Sequence, residues 1–413
     1  MSKLSTKTWN FIVMMVKVTI GLGMILSSFV SVWSNTSEGT LPAKTGVVLH
    51  AINNQLIVPS ENLKAPEFLT RLTGTSNVRP SFYREDLTIP VSDGEFLDAR
   101  MYAPIQSEDA PIIVYYHGGA FMEGYGSIQT HDNIVRALAS RSGAIVISVG
   151  YRLAPKHIFP KAVEDAYDAL LYIEQQAPVW GGDPGNITVA GDSAGGNIAT
   201  VTAMKARDFN GPEITAQLLY YPLTTFHDYP LETREQYSSG QYLLSRSVME
   251  KARATYTPGE DMWENPYVSP LDAKTTAGLP PAFIATAEFD PLRDEGELYA
   301  EKLFSDGVYV ENLRYEGVMH GFLSFYEVMT TGNLAIDDSL AFLSSQWEEE
   351  EQVMVGFQVI DREAPSGFSR VREEVEAHVA AAYLLSIQFT QLFHTFVEQA
   401  DGFFQSEISH EAE

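Results

Sequence analysis

The chain has 413 residues, of which 45% are hydrophobic and 20% charged, and its formal net charge at pH 7 is −27. This is the composition of a globular protein, with room for one large domain with additions or for two ordinary domains. The acidic excess disfavours nucleic acid and anionic lipid as partners. The absence of cysteine excludes disulfides, thiolate catalysis and cysteine metal sites.

The first 34 residues have the composition of a segment that enters a membrane. Basic residues precede an apolar stretch, which Lys17 divides so that residues 18–32 form its uninterrupted part. A stretch of this length is nearer to the apolar part of a signal peptide than to a spanning helix of about 20 residues. We expect residues 1–34 to direct export to the periplasm or the exterior, with cleavage after Ser34. A retained membrane anchor and a buried helix are the alternatives.

Strand-like and helix-like segments alternate through the middle of the chain. Runs rich in Val, Ile, Tyr and Phe predict strands at 82–90, 97–104, 111–119, 144–151, 186–193, 216–222, 281–290 and 310–317. Helix-like segments lie between several of these runs, at 132–143, 160–177, 195–208 and 291–307. The alternation predicts an α/β fold with a mostly parallel, eight-stranded sheet and helices on both faces. Active sites of such sheets lie beyond the carboxyl ends of the strands.

A serine stands on a turn of small residues where a predicted strand meets a predicted helix. The sequence GDSAG at 191–195 fits the pattern G-x-S-x-G, which in this context displays the serine hydroxyl above the sheet. A hydroxyl is a weak nucleophile until a base removes its proton. The turn therefore predicts a nucleophile at Ser193 if the chain also supplies a base, and an ordinary tight turn if it does not.

Residues 223–280 interrupt the alternation between two predicted strands. The segment is long, aromatic and contains proline, which favours an inserted lid or cap over a simple connection. Residues 41–80 precede the first predicted strand, and we expect them to form the N-terminal part of this cap. The predicted catalytic domain then consists of residues 81–222 and 281–347.

The base must be a histidine that reaches the carboxyl end of the sheet. His320 follows the last predicted strand, where a loop can bring it to that edge. Asp290 ends the preceding predicted strand, so that Ser193, Asp290 and His320 follow the chain order expected for a hydrolase triad. Glu288, on the same face of that strand, and Asp294, on the following helix, remain competing partners for the imidazole.

The sequence HGGAF at 117–121 begins where another predicted strand ends. The tetrahedral intermediate of acyl transfer carries an oxyanion, which needs backbone N–H donors held in place. Gly118 and Gly119 lack side chains, so that their amides can face a ligand, and the amide of Ala194 directly follows the nucleophile. We expect these three amides to form an oxyanion hole.

The composition changes again from residue 348 onward. Hydrophobic residues recur at three- and four-residue steps after residue 371, which is the period of an amphipathic helix. We expect 348–413 to be an acidic, helical extension. Its apolar face would pack on its own domain or bind a partner or a second copy of the chain. A helix that lies on a membrane surface is disfavoured, because the polar face is acidic.

Five motifs together resemble the hormone-sensitive-lipase-like family of esterases and lipases, in its GDSAG branch, within the α/β-hydrolase superfamily. They are HGGAF (117–121), YRLAPKHIFPKAVEDA (151–166), GDSAGGN (191–197), DPLRDEG (290–296) and HGF (320–322). The resemblance covers about residues 80–345 and implies an α/β-hydrolase fold with a helical cap. It also implies a carboxylic ester hydrolase that prefers short or medium acyl chains and needs no metal or cofactor.

The resemblance also implies roles for individual residues. Ser193 would be the nucleophile, His320 the base and Asp290 its partner, with the same oxyanion donors and with His117 supporting their loop through hydrogen bonds. The chain departs from the family at Ala120, where a third glycine is commonest. An amidase or a lactonase on the same triad is the alternative, and a catalytically inactive fold that binds a small molecule is a further one.

Overall fold

The computed structural model describes residues 6–56, 82–348 and 356–410. These residues belong to two compact units: Met1–Val58 with Ser366–Glu413, and Pro59–Pro365. In the sequence, the larger unit therefore lies between the two parts of the smaller one. The larger unit contains the sheet, and the smaller unit is mainly helical.

The α-helices of the described residues are numbered in chain order. They are α1 (Thr6–Ser34), α2 (Ala43–Asn53), α3 (Asp132–Ser142), α4 (Lys161–Gln176), α5 (Ala194–Asp208), α6 (Glu232–Gln236), α7 (Arg246–Tyr256), α8 (Arg293–Ser305), α9 (Thr330–Trp347) and α10 (Gly367–His410). Helices α1, α2 and α10 belong to the smaller unit, and the others to the larger one.

A nine-stranded sheet forms the centre of the larger unit. Its strands are β1 (Phe82–Pro90), β2 (Phe96–Pro104), β3 (Ala110–Tyr116), β4 (Ile145–Val149), β5 (Gly182–Asp192), β6 (Ile214–Tyr220), β7 (Ala282–Phe289), β8 (Val310–Met319) and β9 (Val359–Arg362). They lie in the order β9-β8-β7-β6-β5-β3-β4-β2-β1. Strand β2 is antiparallel to both of its neighbours, whereas the pairs from β4 to β9 are parallel. The prediction of a mostly parallel α/β sheet is confirmed.

Apolar side chains fill both faces of the central strands. All five residues of β4 are buried, as is most of β3. The sequences of such strands are apolar almost throughout, because helices cover a parallel sheet on both faces. Strands with one face in solvent would instead alternate between apolar and polar residues. The carboxyl ends of β3, β5, β7 and β8 consequently emerge at one edge of a rigid core, which is where this fold holds its chemistry.

Strand β9 is an addition to the eight predicted strands. It lies within residues 348–413, all of which the sequence assigned to a helical extension, and it pairs in parallel with β8, with Val359 opposite Asn312. Asp361 on β9 forms an ion pair with Arg314 on β8 at 3.5 Å. The extension is therefore not helical throughout, because the open edge of β8 offers backbone partners that local propensity does not reveal.

Residues 223–280 form an insertion between β6 and β7 that contains the short helices α6 and α7 and is otherwise mostly irregular. A buried ion pair between Arg234 on α6 and Glu295 on α8 ties the insertion to the sheet domain. Of the segment 41–80, residues 43–53 form α2 and belong to the smaller unit. The rest of that predicted cap segment, from residue 57 onward, lies outside the described residues.

Candidate active site

Ser193 occupies the sharp turn between β5 and α5. Its backbone has φ 54° and ψ −119°, a conformation that costs a residue with a side chain on the order of 1–3 kcal/mol. The Ser193 N–H donates to the Tyr220 carbonyl on the neighbouring β6 at 2.9 Å, which holds the turn in place. The strain and the strand–turn–helix context are those of a nucleophile elbow.

His320 and Asp290 meet Ser193 at this edge of the sheet. His320 Nε2 lies 3.0 Å from Ser193 Oγ, and His320 Nδ1 lies 2.8 Å from Asp290 Oδ2. Asp290 follows β7 and is fully buried, and His320 directly follows β8. Three residues that are separated by up to 127 positions thus become a single hydrogen-bonded line.

The two competing carboxylates make different contacts. Glu288 Oε2 accepts the Gly317 N–H at 2.7 Å, so that this side chain braces β8. Asp294 Oδ2 accepts the Thr233 N–H at 3.0 Å and caps the start of α6. Asp290 is therefore the carboxylate that contacts His320, and its second oxygen accepts the Leu292 N–H at 2.8 Å, which fixes the orientation of the carboxylate.

The loop after β3 lies beside the elbow. The Gly118 N–H donates to Asp192 Oδ1 at 2.8 Å. A donor that is committed to a buried carboxylate is not available to an oxyanion, so the structure does not support the predicted role of Gly118 as an oxyanion donor. Among the described residues, the amides of Gly119, Ala120 and Ala194 donate to no backbone carbonyl. The sequence analysis had given Ala120 no such part.

Asp192 connects the elbow with this loop. Besides Gly118, it accepts the Tyr115 hydroxyl at 2.7 Å, and its Oδ2 lies 3.3 Å from His131 Nε2. Burial raises the pKa of Asp192, but His131 and the hydrogen-bond donors outweigh burial and hold this pKa below its usual value. Burial likewise lowers the pKa of His131, and the Asp192 carboxylate reverses that effect and raises it. Both pKa shifts favour the state in which Asp192 is ionised and His131 is protonated.

His117 lies against the same loop. Burial, together with the neighbouring His131, lowers the pKa of His117 to about 4, so that its imidazole is neutral at neutral pH. His117 Nδ1 lies 2.7 Å from the Gly118 carbonyl oxygen and so donates its proton to it. The Tyr151 ring stacks on the imidazole at 4.6 Å, and its hydroxyl donates to the His117 carbonyl at 2.6 Å. These contacts are suited to the supporting role predicted for His117.

No pattern in the sequence pointed to Asp192 and His131 as parts of the site. Asp192 was visible only as the unspecified residue before the serine, and His131 lies on a connection with no recognisable spacing to the other groups. Their contact forms only once β3, β5 and the loop before α3 are assembled. Within the described ranges, no group of three or more metal-ligating side chains is found.

Comparison with known proteins agrees with the fold and the motifs. A family model for the alpha/beta hydrolase fold matches residues 113–324. The carboxylesterase NlhH of Mycobacterium tuberculosis (strain H37Rv) is 40% identical over 279 residues, which are 67% of this chain and 86% of that protein. The arylesterase of Saccharolobus solfataricus is 38% identical over 238 residues, 58% of this chain and 76% of that protein.

Solved structures give the same result. The hyperthermophilic esterase from the archaeon Pyrobaculum calidifontis has a TM-score of 0.63 and 43% sequence identity, covering 68% of this chain and 90% of its own. The recognised motifs, the sheet order and these similarities converge on one group of enzymes. The chain belongs to the hormone-sensitive-lipase-like esterases of the α/β-hydrolase superfamily, and it is a carboxylic ester hydrolase.

Proposed function

We propose that the protein hydrolyses short- and medium-chain carboxylic esters by acyl transfer to Ser193. His320 is the general base and acid, and Asp290 orients its imidazole. The observation that supports this proposal is the line of hydrogen bonds from Ser193 Oγ to His320 Nε2 and from His320 Nδ1 to Asp290, at 3.0 and 2.8 Å. Both distances lie within the hydrogen-bond range that a general base needs in order to accept the proton of the nucleophile.

The proposed reaction has two steps that use the same groups. His320 Nε2 accepts the Ser193 hydroxyl proton while Oγ bonds to the ester carbonyl carbon. The bond from that carbon to the alcohol oxygen then breaks, and His320 returns the proton to the leaving alcohol. A water molecule next attacks the acyl carbon while His320 accepts its proton; the bond from that carbon to Ser193 Oγ then breaks, His320 returns the proton to Oγ, and the carboxylic acid is released. Asp290 stays ionised and accepts the Nδ1–H bond throughout.

The oxyanion that forms in both steps needs donors other than Gly118. We assign this task to the amides of Gly119, Ala120 and Ala194, because the first two lie in the loop beside the elbow and the third directly follows the nucleophile. Gly119 has φ 121° and Ala120 has φ 54°, a tight left-handed course that turns successive N–H groups toward one region. Such donors are worth about 3–4 kcal/mol each in comparable enzymes.

Gly119→Ala is expected to lower kcat by about 10²–10³. A Cβ at this position would lie 2.6 Å from Gly126 N and 2.7 Å from Gly126 Cα, so the loop must shift and move its N–H donors. Gly124→Ala is the matched control, because Gly124 also has a positive φ of 82° but a Cβ there would meet no atom within 4 Å. Turnover of p-nitrophenyl butyrate by the two folded variants checks this. Equal rates would remove Gly119 from the oxyanion hole.

A small pocket beside the elbow favours a small ester. It is lined in part by Leu223, Met249 and Leu292. Leu223 is adjacent to the elbow, since its N–H donates to the Ser193 carbonyl at 3.2 Å. Charged side chains, including Arg234 and Arg246, complete the lining. A small pocket with charged walls suits a short acyl chain better than a long alkyl tail.

A series of p-nitrophenyl esters tests the substrate class. We expect kcat/KM to be greatest between acetyl and octanoyl and at least about tenfold lower for palmitoyl, because each extra methylene beyond the pocket loses favourable burial. Butyryl p-nitroanilide and γ-butyrolactone, measured alongside, test the amidase and lactonase alternatives. A palmitoyl optimum would overturn the chain-length proposal, and faster amide or lactone turnover would overturn ester specificity.

Export and self-association remain predictions for this chain. Helix α1 is long and apolar enough to cross a membrane, with an 18-residue stretch of mean hydropathy 2.0. A signal sequence and a retained anchor share that property. Helix α10 is present where the amphipathic pattern predicted a helix, and its binding to a second copy is a separate prediction, tested by the molecular mass of the protein in solution.

A further inference from the structure

Helix α1 exposes apolar side chains on all sides along its first part. Successive residues of an α-helix are about 100° apart, so consecutive exposed positions surround the axis. A single protein surface could cover one face of such a helix, whereas only a surrounding apolar medium covers all of them. The large exposed side chains are Trp9, Phe11, Ile12, Met14, Met15, Val16, Val18, Ile20, Leu22, Met24 and Ile25.

The charge and length of α1 suit a lipid bilayer. The candidate span Lys7–Ser34 has 28 residues, and its exposed part, residues 9–25, is at the lower end of the range of about 17–25 residues that cross a hydrocarbon core. It contains no acidic residue, and Lys17 is its one internal charge. Lys17 lies at the midpoint of residues 9–25, where an ammonium is costly and the surrounding apolar side chains must offset that cost. Because the whole chain is acidic, a neutral phospholipid bilayer is a better partner than an anionic one.

The second part of α1 is packed within the smaller unit. Val30 belongs to a buried cluster with Val47 and Ala51 of α2 and with Ala377, Ala381 and Leu384 of α10. Trp33 stacks on His50 of α2 with ring centroids 3.9 Å apart. Without α1, the apolar side chains of α2 and α10 in this cluster would lose their cover, so α1 is a structural part of the unit.

Polar contacts add to this packing. The Ser27 hydroxyl lies 3.1 Å from His378 Nε2, which joins α1 to α10. Lys44 on α2 forms an ion pair with Glu376 and lies 3.9 Å from Glu373, both on α10. Helices α2 and α10 are thereby fixed to each other and to the end of α1.

Ser34, the residue after which cleavage was expected, lies inside this junction. It is 4% exposed, and it is the last residue of α1 rather than part of an extended segment. Its carbonyl accepts the Leu41 N–H at 2.8 Å. Cleavage after Ser34 would remove Val30 from the buried cluster and Trp33 from its stack on His50, so the assembled unit requires this bond to be intact.

We propose that α1 is retained as a membrane anchor. Residues 9–25 lie in a neutral phospholipid bilayer, and α2 and α10 hold the remaining part of the helix through the buried cluster. The bond after Ser34 is consequently not a processing site. The esterase unit Pro59–Pro365 remains attached to the membrane through this three-helix anchor unit (Met1–Val58 with Ser366–Glu413).

The first experiment tests retention and lipid binding on the full chain. The protein is extracted from membranes in detergent, its intact mass is measured, and it is reconstituted with phosphatidylcholine vesicles for flotation. We expect the mass to include residues 1–34, and flotation to persist at high salt and alkaline pH. A mass that lacks this segment would overturn retention, and flotation only at low salt would overturn insertion.

A matched pair of double variants identifies the lipid-binding segment. Ile20→Glu with Leu22→Glu is expected to lower the vesicle-bound fraction at least about tenfold, because charge is costly within the hydrocarbon region. Val179→Glu with Phe209→Glu is the control, since these side chains are 76% and 61% exposed on the larger unit. Equal flotation of both double variants would overturn the proposal. Hydrolysis of p-nitrophenyl butyrate should be unchanged in both, which separates this test from that of the triad.

Gly46→Ala tests the junction. A Cβ on Gly46 of α2 would lie 2.5 Å from Ser34 Oγ and 2.8 Å from Ser34 Cα, so the two helices must separate. Tryptic cleavage after Lys44 in vesicle-bound protein is expected to become about tenfold faster or more, as local opening exposes this bond. Gly23→Ala on α1 is the control, because its Cβ would meet nothing within 4 Å. Equal cleavage rates in the two variants would show that α2 does not hold α1.

Discussion

Ser193→Ala is expected to reduce kcat for p-nitrophenyl butyrate by on the order of 10⁵–10⁶. The alanine leaves His320 and Asp290 in contact but removes the atom to which the acyl group bonds. The residual rate would come from the oxyanion donors and from water activated by His320. The measurement is steady-state turnover of purified variant and wild-type protein at equal concentration.

The control for this experiment is Ser140→Ala. Ser140 lies on α3 and its hydroxyl donates only to the Ala137 carbonyl within the same helix, so its loss should leave kcat within about twofold of the wild type. A fluorophosphonate probe adds a readout that does not depend on substrate choice. We expect covalent labelling of the wild type and of Ser140→Ala, and none of Ser193→Ala. Undiminished turnover by Ser193→Ala would disprove the assignment of the nucleophile.

Asp290→Asn is expected to lower kcat by about 10⁴ while the fold is preserved. The asparagine oxygen can still accept the Leu292 N–H, which Asp290 Oδ1 now accepts at 2.8 Å. Its amide NH₂ then faces His320 Nδ1 and requires that nitrogen to be an acceptor. The proton moves to Nε2, which can no longer accept the Ser193 hydroxyl proton. The loss should appear in kcat rather than in KM. The substrate binds beside Ser193, whereas Asp290 contacts the opposite side of the imidazole.

Glu288→Gln is the matched comparison for Asp290→Asn. Glu288 lies on β7, two residues before Asp290, and its contact is with the Gly317 N–H, which a glutamine oxygen also accepts. We expect its kcat to stay within a few-fold of the wild type. If the Glu288 variant lost more activity than the Asp290 variant, the orienting carboxylate would have to be reassigned to Glu288.

The sequence predicted the parts of the fold that depend on local composition. The central strands are apolar throughout, so they stand out even without alternation, and the small residues around Ser193 mark the turn between strand and helix. His320 and Asp290 were predictable because each directly follows a strand of a parallel sheet. The contact with His320 excludes Glu288, which no pattern in the sequence could do, since both carboxylates lie on one predicted strand.

Other features depend on contacts between distant segments and leave no local pattern. The Gly118 amide was expected to face a ligand because glycine permits it, yet Asp192, 74 positions away, accepts its hydrogen bond. Strand β9 forms because β8 has a free edge, and its four residues have no distinctive composition of their own. The packing of α10 on α1 likewise joins segments more than 300 positions apart.

This last contact has a consequence for the time course of biosynthesis. More than 300 residues separate α2 from α10, and at about 5–20 residues per second the ribosome needs roughly 15–60 s to make them. Helix α1 is thus without one of its partners while the larger unit, which is contiguous in the chain, can already fold. The helical unit can therefore be completed only after the catalytic region has been translated. A chain truncated before α10 would carry a folded esterase on an incomplete anchor.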